Sequence, residues 1–237
     1  RHGGSETLPA PRTEADATDP LSLCDRAYRF IKHRIITNET PAGAVLNDRE
    51  IVAELDISRT PIREAMLLLQ KEGFVEVVPR RGIRVRPLFL GDIRELFDIL
   101  TALETLAVGL LAGRQPAPPE LGPLTDAVRD MKSGLKADDF SAWIEADERF
   151  HRALFELCGN RRLTAVGLSY RDQVQRAHVV ALKLRPWPTK SVEGHAELVE
   201  RIRRGDVKGA RRLHHEEWVR AGEELVAAIT RCGLKCL

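Results

Sequence analysis

The sequence predicts a mainly α-helical protein in two parts: a small N-terminal unit of three helices with a β-hairpin, then an all-helical bundle. Three observations lead there. Apolar residues recur at helical spacing along most of the chain from Leu23 onward. The stretch FVEVVPRRGIRVRPL instead alternates apolar and charged residues about a Pro-Arg-Arg-Gly turn. The composition, 43% apolar, 30% charged and 5% aromatic, is too hydrophobic for a disordered chain and rich in helix formers.

Each element has its own local cause. Residues 1–20 carry three of the thirteen prolines and the pair Gly3-Gly4 without apolar periodicity, which reads as a mobile tail. Leu23, Ala27, Phe30, Ile31 and Ile35 define a first helix that ends before Thr40, Pro41 and Gly43. Asn47 and Glu50 form a capping-box pair ahead of Ile51, Val52 and Leu55, so a short second helix stops at Asp56. In SRTPIREAMLLLQKEG, Thr60 is placed as the N-cap and Pro61 as the first helical residue, with Ile62, Ala65, Met66 and Leu69 facing inward until Gly73. The hairpin follows. Three helices and a hairpin make a winged helix-turn-helix over 21–87.

The whole chain is nearly neutral at +2, so affinity for nucleic acid has to come from a local basic surface. Arg80, Arg81, Arg84 and Arg86 lie on the hairpin, while Arg59 and Arg63 sit one turn apart at the start of the third helix. Guanidinium groups pair with phosphates, a helix N-terminus adds donors and a favourable dipole, and arginine grips guanine O6 and N7 with two hydrogen bonds. A charged edge strand guarded against aggregation would also be basic. Together with helix-turn-helix spacing, the pattern points to double-stranded operator DNA.

The residues PAGAVLNDREIVAELDISRTPIREAMLLLQKEGFVEVVPRRGIRV closely resemble the DNA-binding domain of GntR-type bacterial transcription regulators. That resemblance implies operator contacts from Arg49, Arg59, Arg63 and Gly82, with Thr60 and Arg81 as neighbours.

After a linker at 88–91, amphipathic segments fill 92–232. Asp92 and Glu95 are placed as a capping box for a helix through Leu96, Ile99, Leu103, Leu106 and Leu110. Further helical patterns cover about 120–135, 141–157, 161–184, 190–204 and 207–230. Six helices of this length can enclose a small-molecule pocket.

Asp147 and His151 lie four residues apart on one helix face, and His195 opens a later helix. A surface ion pair and an interhelical hydrogen bond would give the same spacing. The segments FHRAL, CGNRRL and IRRGD, in that order, are similar to the FCD ligand-binding domain of the FadR subfamily. The similarity implies that Asp147, His151 and His195 hold a divalent metal (Zn, Ni or Mn) with one further ligand. Family spacing places that ligand at Glu217, where a histidine is usual, and His214, one turn earlier, is the alternative. A small carboxylate is the effector this resemblance implies.

Other classes fare worse. The chain has no GxSxG, Walker loop, GxGxxG after a strand or HExxH, so an enzyme is not expected. Cys24, Cys158, Cys232 and Cys236 form no CxxC pair and read as free thiols. No uninterrupted apolar stretch approaches the roughly 20 residues of a membrane span, and no signal-peptide order opens the chain. The expected protein is a cytoplasmic, homodimeric, ligand-responsive transcription regulator, with repression as the expected output. Its alternatives are a metal-free regulator of the same kind and a metal-dependent hydrolase.

Overall fold

The structure, a computed structural model, describes residues 22–79, 81–182, 189–234 and 236–237. The expected tail at 1–20, Arg80 of the basic hairpin and the end of the fourth long bundle helix lie outside these residues.

The N-terminal unit comprises α1 (Leu23–Ile36), β1 (Val45–Leu46), α2 (Asp48–Leu55), α3 (Arg59–Lys71), β2 (Val75–Val78) and β3 (Gly82–Val85). Ser22 Oγ accepts the Asp25 N–H to start α1, and Asn47 Oδ1 accepts the Arg49 N–H to start α2. Glu50 meets the Asn47 side-chain amide at 2.9 Å, so the expected capping pair exists in a side-chain form. Asp56, at φ 52°, ends α2 in the left-handed conformation that a short acidic side chain tolerates. The start of α3 differs from expectation. Ser58, not Thr60, is the N-cap residue, and Arg59 and Thr60 are already helical. Proline is accommodated anywhere in the first turn, where no intrahelical acceptor awaits its missing N–H.

The wing is also larger than a hairpin. Three antiparallel strands run in the order β1-β3-β2, with Val45 opposite Arg84 and Val75 opposite Val85. Ala27, Ile31, Ile35, Ile62, Ala65, Leu69, Phe74 and Val85 form the core that holds the three helices against this sheet.

The bundle contains α4 (Leu90–Arg114), α5 (Gly122–Ala137), α6 (Phe140–Leu157), α7 (Arg161–Leu182), α8 (Thr189–Arg203) and α9 (Val207–Arg231). A short 3₁₀ turn at Pro118–Leu121 interrupts the proline-rich loop. The first of these helices is capped three residues before the expected place: Phe89 rather than Asp92 is the N-cap, and Asp92 accepts the Phe89 N–H at 2.9 Å. Among the described residues α4 is the one helix long and apolar enough to cross a bilayer. Its Leu100, Ala107, Val108 and Leu111 are instead fully buried in the bundle, where α4 packs against α6, α7, α8 and α9.

The expected linker is tied down. Leu88 and Leu237 exchange backbone hydrogen bonds at 2.9 Å, and Arg176 of α7 donates to the carbonyls of Arg86 at 2.7 Å and Leu237 at 3.1 Å. Residues 86–89 therefore run across the bundle as a pinned strip.

Candidate functional site

The sequence-predicted DNA contacts are all exposed on the N-terminal unit. Arg59 and Thr60 occupy the first turn of α3, Arg63 follows one turn on, and Arg49 lies in the first turn of α2; all four are exposed. Arg63 approaches Asp48 at 3.7 Å, a loose pair that leaves most of its guanidinium in water. Gly82 sits at φ +89°, with open space where a Cβ would stand, and exposed Arg81 precedes it at the tip of the wing. A positive φ suits glycine, and the bare backbone leaves the tip unobstructed.

A second centre lies in the bundle, around a cavity of about 460 Å³. Asp147 and His151 project from α6 and His195 from α8 onto its floor, and their ligand atoms lie within 4.8 Å of one another. His151 Nε2 and His195 Nε2 are 3.1 Å apart, and Asp147 Oδ1 stands 3.7 and 3.5 Å from them.

The outer nitrogens fix the protonation. His151 Nδ1 meets the Glu104 carboxylate at 2.9 Å, and His195 Nδ1 meets the Ser191 carbonyl at 2.5 Å. Both partners only accept, so each Nδ1 carries a proton, and in a neutral imidazole Nε2 is left as the lone-pair atom. With both rings neutral, two lone pairs and a carboxylate oxygen face one another. Such a donor set suits a divalent cation, and the Glu104–His151 pair is the carboxylate–histidine support that metal-binding imidazoles commonly have.

Burial favours the neutral ring at His195. Desolvation, together with the neighbouring His151, pushes His195 down to about 4, keeping the imidazole neutral. Desolvation would raise Glu104 and Asp147, but both are held below the usual carboxylate range. His151 and His214 outweigh it at Glu104, and His151, His195 and Arg171 do so at Asp147.

Glu104 is the residue that the sequence reading missed. It has no solvent exposure, and its Oε2 accepts from His151, from His214 at 2.9 Å and from Trp218 at 2.5 Å. A lone acid inside the apolar run LTALETLAVGLLAG was the available signal. Arg171 was missed too: fully buried on α7, it holds Glu148 at 2.8 Å and Asp147 at 3.3 Å.

Both candidates for a further ligand line the same cavity, outside the three-residue cluster. His214 spends its Nε2 on Glu104, and the Glu217 carboxylate accepts from Arg220. Glu217 also packs against Gly194, where an added Cβ would lie 3.0 Å from Oε2. His178 is buried and lines the cavity, whereas His33 and His215 are exposed.

Residues 23–85 match the model for bacterial regulatory proteins of the gntR family, and residues 95–219 match that for the FCD domain. The chain belongs to the GntR family, with an FCD domain. A GntR relative in Agrobacterium vitis, an HTH-type transcriptional regulator from the TAR-I ttuE-ttuC' intergenic region, is 37% identical over 61% of this chain and 86% of its own. Another, from an unstable DNA locus of Streptomyces ambofaciens, is 30% identical over 78% of this chain and 77% of its own. Among solved structures, Escherichia coli McbR/YncC shares the fold with TM-score 0.77 at 20% identity, covering 87% of this chain and 98% of its own. The GntR chain is thus a transcription regulator, and the families and relatives it matches are regulators rather than enzymes.

Proposed function

We propose that this GntR-family regulator is a cytoplasmic, homodimeric repressor of the FadR type. In this reading α3 and the wing read operator DNA, while the bundle binds a small organic acid through a divalent metal. The observation that carries the effector half is the meeting of His151 Nε2, His195 Nε2 and Asp147 Oδ1 on the floor of a cavity large enough for a small ligand. A relative in Escherichia coli named as a transcriptional repressor, RspR, is 23% identical over 61% of this chain, which supports repression as the output.

Asp147, His151 and His195 would hold the ion, with Glu217 as the fourth candidate. Zinc, nickel or manganese bound there would supply open coordination positions for a carboxylate. Glu104 orients His151, the Ser191 carbonyl orients His195, and Trp143 and Trp218 supply flat apolar walls. On the DNA side Arg49, Arg59, Thr60, Arg63, Arg81 and Gly82 are the proposed contacts.

Metal analysis of purified protein, with melting curves in added zinc, nickel and manganese, tests the effector half. A melting temperature that rises with metal and falls with chelator supports it; no bound metal and no shift would leave a metal-free regulator. For the DNA half, alanine at Arg59 or Arg63 is expected to cost about 1–3 kcal/mol on a duplex selected by the protein from a random pool, and much less on unselected DNA. Equal losses on both would reassign the side chain to phosphate contact.

A further inference from the structure

Seven side chains of alternating charge join the floor of the cavity to the end of the recognition helix. Asp147 faces Arg171 at 3.3 Å, and Arg171 holds Glu148 at 2.8 Å. Glu148 faces Arg152 at 3.5 Å, and Arg152 holds Asp172 at 2.8 Å. Asp172 then meets Lys32 of α1 at 2.6 Å, and Lys32 holds Glu72, the C-cap of α3, at 2.8 Å. Chain order does not anticipate this: the seven come from α6, α7, α1 and the end of α3. Lys32 is buried, and Tyr28 also bonds to it and to Glu72. Gln173 of α7 adds a direct tie to the Glu72 carbonyl at 2.9 Å.

We propose that this row of charges is the device by which occupancy of the bundle site reaches the DNA-binding unit. The inference rests on the proposed metal site. Three of the four acids are each shared between two bases or between a base and the site, so a carboxylate drawn one way loosens its other contact. Asp147, once engaged by a cation, releases Arg171, which then leans wholly on Glu148. Glu148 gives up its long contact to Arg152, Arg152 leans on Asp172, and Asp172 loosens its hold on Lys32. The predicted sense is therefore release: a cation on Asp147 weakens the tie between α7 and α1 and frees the seat of α3. Each shared carboxylate gives one oxygen to each of its two bases, so a pull on one oxygen turns the group and lengthens its other contact, and the row carries the change from end to end.

Amide hydrogen exchange on the full chain, with and without zinc, reads this without any effector or operator. In the unaltered protein zinc should speed exchange of peptides covering α1 and the last turn of α3 by about fivefold, the lower end of ordinary coupling between sites. Asp147→Asn removes the same negative charge and should give the same acceleration with no metal. Asp172→Asn should exchange fast at the junction from the start and show no response to zinc. Arg152→Gln, at a partly exposed position, leaves Asp172 to Lys32 alone and should slow the junction below the unaltered rate.

A zinc response of equal size in Asp172→Asn and the unaltered chain would overturn the proposal. So would junction exchange in Asp147→Asn and Arg152→Gln that matches the unaltered chain. Acceleration by Asp147→Asn with no zinc effect anywhere would remove the metal reading and leave the row of charges standing.

Discussion

Glu104 shows what one buried charge can organise. Its Oε2 accepts three donors, from α6 and α9, so a single oxygen sets the His151 tautomer and the positions of His214 and Trp218. Glu104→Gln brings an amide where an anion is required and should lower unfolding stability by about 3 kcal/mol, measured by urea denaturation. It should also weaken zinc binding by roughly 10–100-fold in calorimetry, because the imidazole loses its orienting carboxylate. The pH dependence has a definite sign. Glu104 is held below its ordinary value of 4.5, so the stability it contributes is complete above that pH and is lost as pH falls further. The Gln variant should flatten this acid limb. Helical spacing puts Asp147 and His151 on one face of α6, and the FCD resemblance singled that pair out from an ordinary ion pair. Glu104 was not, because its partners are 47, 110 and 114 residues away and only the packed bundle brings them together.

At the scale of elements, local chemistry set most boundaries. Asn47 and Asp56 bracket α2 as their side chains dictate, and the bundle helices fall close to the apolar periodicity. The misses occurred where tertiary context or a neighbouring residue decides. Val45-Leu46 becomes a strand because β3 offers it an unpaired edge, a cause that two residues cannot announce. Asp92 caps α4 by reaching back to the Phe89 N–H, which shifts the start upstream of the acid that signalled it. Close approach between helices also sets side-chain size. A Cβ on Gly167 of α7 would fall 2.2 Å from Cε1 of Phe155, a fully buried ring on α6. Gly167→Ala should therefore cost about 1–3 kcal/mol through overpacking, despite alanine's better helix propensity, and thermal unfolding would show it. A gain in melting temperature would mean that α6 and α7 can slide apart freely.

Across the whole molecule charge is nearly balanced, and the proposed functions fall on exposed arginines at one end and on a buried cluster of one acid and two histidines at the other. DNA binding should therefore be strongly salt-dependent, and metal binding hardly so. Alanine at Arg81 should flatten the slope of log affinity against log salt by about one unit, with similar losses on selected and unselected duplexes. For the bundle, zinc at about 100 times its dissociation constant should raise stability by about 2.7 kcal/mol, and a chelator should reverse the gain. A differential scanning experiment at two ionic strengths separates these behaviours.

The strip at residues 86–89, pinned by Leu237 and Arg176, bears on how operators are spaced. A loose tether would let two copies on one duplex reach half-sites at many separations, with only a gentle loss of effective concentration. In the proposed dimer, a mount fixed at three carbonyl and amide contacts would give each reading head one bearing, and the protein would then measure distance and rotational phase along the duplex as well as base sequence. Inserting about five base pairs, half a helical turn, between half-sites should then abolish paired binding. Arg176→Ala, by slackening the mount, should restore part of it in a gel-shift series of spacers, turning a molecular ruler into a leash.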